Sequence, residues 1–166
     1  MKRTMLFLAV GVFALWAQAG SAQAPGPTTL SLYEPANGGT FNIIDNAPKS
    51  PVKNPGSKKY RFSIGDQLIF SNPVLNQKGG TRVATLYVEA TVVKGKTFAS
   101  VSTLSRVTLV FTNGDQIAAQ GVFGFSGTDV RIAIVGGTGV YAGAHGFVVS
   151  HNNADDSSQD TLTLLP

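Results

Sequence analysis

From about residue 28 to the C-terminus, apolar and polar side chains alternate with a period of two, and no stretch sustains the 3.6-residue apolar period of an amphipathic helix. The chain therefore reads as all-β. Strands are predicted at Thr28–Glu34, Tyr60–Phe70, Thr81–Val93, Thr97–Phe111, Gln116–Ser126, Asp129–Val135, Gly146–His151 and Gln159–Leu165, which makes eight. Turn signals separate several of them: Lys94-Gly95, Asn113-Gly114 and Gly127-Thr128, of which Asn-Gly is the strongest hairpin signal because both residues tolerate positive φ. Connections this short require antiparallel neighbours, since a parallel crossover takes about a dozen residues. A meander of eight strands exposes two raw edges unless it closes, and closure leaves room inside for side chains or one small ligand. An eight-stranded antiparallel β-barrel is favoured over a two-sheet sandwich, which shares the same strand spacing.

Ahead of the strands, Lys2 and Arg3 precede an apolar run from Met5 to Trp16 and then the small residues Ala17 to Ala22. This is the pattern of a secretory signal over residues 1–22, too short to remain as a membrane-spanning helix. Cleavage is expected after Ala22, with Ala19 as the second choice. A secreted or periplasmic protein without a membrane anchor is the expectation, and the absence of cysteine removes any disulfide framework. Cleavage takes 22 of 166 residues and leaves 144, the size of one domain spanning 23–166. Taking Lys2 and Arg3 from the 13 basic residues leaves 11 against 9 acidic ones, a weak basis for nucleic-acid binding. Lys49, Lys53, Lys58 and Lys59 crowd into residues 45–59, a Pro-, Asn- and Ser-rich stretch read as a solvated loop, because no aromatic residues interleave with them for base stacking.

The segment Ile132 to Ala142 mimics a dinucleotide fingerprint, with Gly137, Gly139 and Ala142 in the spacing G-x-G-x-x-A and Asp155 further on. That motif needs a helix at once afterwards to hold a pyrophosphate, and Gly143 and Gly146 break the chain there. Gly136, Gly137 and Gly139 are better read as turn residues at a barrel corner. No cofactor is expected. His145 and His151 lack a third ligand close in sequence, so no metal site is expected, and Asp155, Asp156 and Asp160 around Ser157-Ser158 read as a polar loop.

One carboxylate stands out. Leu30, Leu32 and Glu34 share one parity of the first strand, which aims Glu34 from its apolar face. Inside a barrel such a group loses hydration and becomes a general base or a stabiliser of developing positive charge. A strand that ends before Pro35 would instead leave Glu34 on a wet rim. Several strands are apolar on both faces, as where Val130, Ile132 and Ile134 alternate with Ala133 and Val135, which points to a homo-oligomer.

The stretch Val135 to Phe147, VGGTGVYAGAHGF, resembles the late glycine-rich segment of dirigent proteins and allene oxide cyclases. Leu30 to Glu34, Ile64 to Asn72 with Arg82-Val83, and Gln120-Gly121 are similar to allene oxide cyclase in particular, in family order. The resemblance implies a lipocalin-related eight-stranded barrel, usually a trimer. It also implies that Glu34 matches a barrel-lining glutamate that helps open a fatty-acid epoxide, and that Asn72 matches one of two asparagines holding a water. Ala36 stands where the second asparagine is expected, with Asn37 beside it, and Ala90 falls at a cavity cysteine, so the fatty-acid substrate does not carry over. Glu34 is the expected catalytic residue and Tyr33, Asn37, Asn72 and Phe123 the expected ligand contacts. Three functions follow as expectations: an isomerase, cyclase or dirigent-like barrel that steers an apolar small molecule; a carrier that only binds it; and a structural barrel packed solid by Phe98, Phe111, Phe123 and Phe125.

Overall fold

The computed structural model describes residues 26–55, 57–125 and 129–166. The expected export segment 1–22 with its expected cleavage position, and the expected Gly127-Thr128 turn, lie outside the described residues. Nine strands are described: β1 (Thr28–Glu34), β2 (Thr40–Ile44), β3 (Gln67–Leu75), β4 (Arg82–Lys94), β5 (Ser102–Phe111), β6 (Gln116–Gly124), β7 (Asp129–Gly137), β8 (Gly146–Asn152) and β9 (Ser158–Leu164). From β3 to β9 each strand pairs antiparallel with the next, as short connections require. β1 pairs with β9 along its whole length and meets β3 where Tyr33 faces Leu75. Eight strands, β1 and β3 to β9, thus close into an antiparallel barrel. No helix among the described residues is long and apolar enough to cross a membrane.

The ninth strand, β2, differs from the sequence reading. It pairs only with β3, along the half of that strand which β1 does not reach. The break between β1 and β2 has local causes. Pro35 ends the β1 ladder because it has no N–H to donate. Gly38 then takes φ +99°, and at Gly39 a Cβ would strike the Ser71 carbonyl and the Asn72 side chain. Further along, the predicted strand at Tyr60–Phe70 starts only at Gln67. Tyr60 and Phe62 are buried as a strand would bury them, but their segment is a loop pinned by Asp66. The Asp66 carboxylate accepts the N–H groups of Asn46 and Ser63, both at 2.8 Å, and the Ser63 hydroxyl at 2.9 Å. β5 likewise begins at Ser102, because Thr97 to Val101 form a turn in which the N–H groups of Ser100 and Val101 both bond the Thr97 carbonyl. None of the described residues within 45–59 lies in a strand, and the four lysines there are exposed.

The Asn113-Gly114 hairpin forms, though only Gly114 takes positive φ, at +90°. Asn113 contributes through its side chain, whose Oδ1 accepts the Asp115 N–H at 3.0 Å.

The glycine-rich segment after Ile134 closes one end of the barrel. Its sequel is a single 3-10 turn, Gly139–Tyr141, which carries the Tyr141 ring onto Phe111 with centroids 4.8 Å apart and planes 28° apart. Both rings pack on a core of Leu32, Val74, Leu109, Ile117, Ile134 and Leu162. Gly139 takes φ +60° against the Asp115 carboxylate, and at Gly137 a Cβ would strike the carbonyls of Tyr141 and Gln116. Gly136, by contrast, has open space where a Cβ would go.

That contrast sets a paired test. Gly137→Ala must push two backbone oxygens apart and is expected to cost about 1–3 kcal/mol. Gly136→Ala is expected to shift stability by less than about 0.5 kcal/mol. Urea unfolding of the two variants beside the parent measures both, and equal midpoints would show that the tight approach at Gly137 does not stabilise the closed end.

Candidate functional site

Above this floor the barrel is hollow. A cavity of about 340 Å³ runs up its axis, at the lower end of the range for small-molecule sites. Its two walls differ in chemistry. On one side β4 to β7 supply Leu86, Val88, Val107, Ile117, Phe123 and Ile132. On the other, β3, β1, β9 and β8, which are consecutive around the closure, supply the polar groups Asn72, Glu34, Asp160 and Ser150 among the apolar Phe70, Leu32, Leu162 and Val148. Asn152, Asn153, Asp156 and Ser158 extend the polar wall toward the β8–β9 loop.

Strand parity explains how the acids meet. On β1, Leu30, Leu32 and Glu34 point inward; on β9, Asp160 and Leu162 do. The register pairs Leu32 with Asp160 and Glu34 with Ser158, so the two acids are diagonal neighbours on one face, within reach of each other's side chains. Both are buried, at 9% and 6% exposure. Asn72, held in place beside Gly39, donates from Nδ2 to Glu34 Oε2 at 2.8 Å.

Two carboxyl groups in one dry site cannot both ionise freely. Burial, followed by the charge of Asp160 and a hydrogen bond with it, pushes the Glu34 carboxyl up to about 8, and the bond from Asn72 pulls the other way. Burial also raises Asp160, while its bonds to Glu34 and Ser150 lower it. The two carboxyl groups therefore titrate as a pair, and each is held above its ordinary range chiefly by burial. With Glu34 pushed up to about 8, the pair keeps a proton near neutral pH. Asp160 Oδ1 is buried with no hydrogen-bond partner among the described residues.

The expected site residues are placed unequally. Glu34, Asn72 and Phe123 line the cavity. Tyr33 does not, because it alternates with Glu34 and faces outward; its ring lies beneath Lys78 Nζ at 5.9 Å, in a separate surface recess with His151 and Gln159. Asn37 lies exposed in the break between β1 and β2 and does not line the cavity either. The packed-solid alternative fails on the cavity itself: Phe111 stacks on Tyr141 at the floor, and Phe98 is partly exposed against Phe62 and Phe125. Asp160 was read as part of a polar loop, yet it is a strand residue pointing inward. Its signal was present in the alternation of Asp160, Leu162 and Leu164, the same parity that singled out Glu34. His151 faces outward and bonds Asp129 at 2.6 Å, and His145 sits in the loop before β8.

Comparison with known proteins agrees with this architecture. The family model for dirigent-like proteins matches residues 28–165. No curated protein matches the sequence. Among solved structures, the fold is similar to the pterocarpan synthase dirigent protein PsPTS1 with a TM-score of 0.63 at 15% identity, over 86% of this chain and 97% of that one. It is similar to a pyocyanin demethylase with a TM-score of 0.60 at 21% identity, over 82% and 99% of the two chains. It is also similar to AbnU, an exo-specific intermolecular Diels-Alderase, with a TM-score of 0.57 at 15% identity, over 84% and 98%. At such identities the likeness is one of fold, and the family match, which runs from the first strand to the last, carries the assignment: the chain belongs to the dirigent-like protein family.

Proposed function

We propose that this barrel binds a compact apolar molecule and steers its cyclisation or coupling, with Glu34 as the proton donor and acceptor and Asp160 as its charged partner. The observation that carries the reading is the Glu34–Asp160 carboxyl pair on the polar wall of an otherwise apolar cavity. A flexible substrate pressed between unlike walls is restricted to few conformers, which lowers the entropic part of the barrier. Exclusion of water strengthens the field of the acid pair on charge that develops in the transition state. Neighbours named as a pterocarpan synthase and a Diels-Alderase support a bond-forming role. The apolar run ahead of Ala22 supports export and action outside the cytoplasm.

The protein is further proposed to work as a homo-oligomer, which the family resemblance makes a trimer. Leu104 on β5 and Val122 on β6 are direct cross-strand partners on the outer face and stay 46% and 60% exposed, with Ile69 and Tyr87 exposed on the neighbouring strands. Light scattering at micromolar concentration is expected to give a multiple of the monomer mass, and Val122→Lys to reduce it. A monomeric parent protein removes this part of the reading.

Turnover is tested with compact precursors that cyclise or couple unaided to racemic product. The protein is expected to give one enantiomer in excess by chiral chromatography, and Glu34→Gln to slow product formation by about 10²-fold or more with little change in Kd. Racemic product beside a tightly held, unaltered ligand would assign the barrel to transport instead.

The acid pair also sets a pH dependence that needs no substrate. Glu34 has a folded value of about 8 against 4.5 when unfolded. The folded state therefore holds the proton more tightly, and the contribution of this group to stability is fully present below about pH 4.5 and is lost as pH rises to about 8. The fall from this group is a few kcal/mol, at about 1.4 per pKa unit. Glu34→Gln is expected to flatten that decline, so the variant gains on the parent in melting temperature from pH 5 to pH 8. Parallel curves for the two proteins would show that Glu34 is ordinarily hydrated.

A further inference from the structure

The lining also specifies the charge class of what enters, an inference that rests on the cavity being a small-molecule site. Its carboxyl groups are Glu34 and Asp160 within and Asp156 at the β8–β9 loop, and among the described lining residues none is Lys, Arg or His. The nearby basic groups lie outside: Arg131 over the Phe147 ring, His151 bonded to Asp129 at 2.6 Å and Lys78 bonded to Asp155 at 3.4 Å. Hydrogen-bond capacity is equally one-sided. Two carboxyl groups present about four oxygens' worth of acceptor sites, while the protein directs at them the Asn72 amide, the Ser150 hydroxyl and the one proton they share. Asp160 Oδ1, buried and lining the cavity, receives no donor from the described residues. A buried acceptor in that condition favours any ligand that brings its own donor.

We propose that the cavity selects compact apolar ligands that carry a hydrogen-bond donor, neutral or cationic, such as an alcohol, phenol or amine, and rejects carboxylates and other anions. The donor group meets Asp160 Oδ1 on the polar wall, while the ring or chain lies against Val107, Ile117 and Phe123 opposite. An anion in the same position would stand within several Å of the charge that the acid pair carries, with no cation in the lining to offset it. In a site of low dielectric that repulsion weakens binding by well over tenfold. A free fatty acid bound head-inward is excluded on this ground.

Four naphthalenes that differ in one substituent test the proposal by calorimetric titration of the purified protein: 2-naphthylmethylamine, 2-naphthylmethanol, 2-methylnaphthalene and 2-naphthoate. The amine and the alcohol are expected to bind at least tenfold more tightly than the naphthoate, with the methyl compound weaker than the alcohol. Asp160→Asn, which removes the charge and adds an N–H donor, is expected to shrink the amine-to-naphthoate ratio by at least tenfold. Naphthoate binding as tightly as the alcohol in the parent protein overturns the proposal, whether or not the variant folds. An unchanged ratio in folded Asp160→Asn overturns it as well. If methylnaphthalene and naphthoate bind alike, charge selection fails and the small-molecule cavity stands. If none of the four binds, both readings fall together.

Discussion

Closure of this barrel hangs on a short seam. β3 is shared end to end by two partners: β1 reaches it only where Tyr33 faces Leu75, and β2 takes the stretch from Ser71 back to Gln67. If β1 continued straight into β2 without the break at Pro35 to Gly39, the seam would be an ordinary ladder and Asn72 would face a side chain in place of the hydrogen of Gly39. With the break, the chain steps aside, the Asn72 amide turns to Glu34, and the last inward residue of β1 becomes the first polar group of the cavity. Strand parity does the rest. Once β1 pairs with β9 in the register Leu32 to Asp160, the two acids have no other place to point.

The chain contains a useful internal contrast in how a carboxylate is buried. Asp66 has no exposed surface, yet three donors from the surrounding loop satisfy it, and it acts as a pin between the segment after β2 and the start of β3. Glu34 and Asp160 are buried nearly as deeply, face one another, and draw donors from Asn72 and Ser150 alone. Satisfied burial stabilises a fold; under-satisfied burial costs several kcal/mol per ion unless a proton or a ligand relieves it. The difference singles out the pair as the proposed site and Asp66 as architecture, though all three are buried carboxylates.

Much of this could be read from the alternation of the chain. It located the staves of the barrel, and with them the inward aim of Glu34, because period-two patterning ties every side chain on a strand to one face. Where it failed, tertiary contacts had replaced the ladder. Tyr60 and Phe62 alternate with Arg61 and Ser63 as in a strand, but their backbone is held by Asp66. Thr40–Ile44 was lost between Gly-Gly and Asp-Asn-Ala-Pro, signals that describe its ends and hide its middle. Asp160 was obscured by its acidic neighbours Asp155 and Asp156, which truly are loop residues. Tyr33 was misplaced for a different reason: a motif joins it to Glu34, whereas adjacent residues on a strand cannot share a face.

The glycine-rich segment, the part of the sequence most easily recognised, lies at the opposite end from the acid pair. Its influence on the chemistry is indirect and physical. Gly137 and Gly139 let the chain turn tightly enough to set Tyr141 on Phe111, and that stack seals the floor. A barrel open at both ends would admit water along its axis and rehydrate the carboxyl groups, and burial is the leading cause of the upward displacement of both. Packing at the floor therefore helps to keep a proton on Glu34 at neutral pH, so residues remote from the acid pair contribute to its proton affinity.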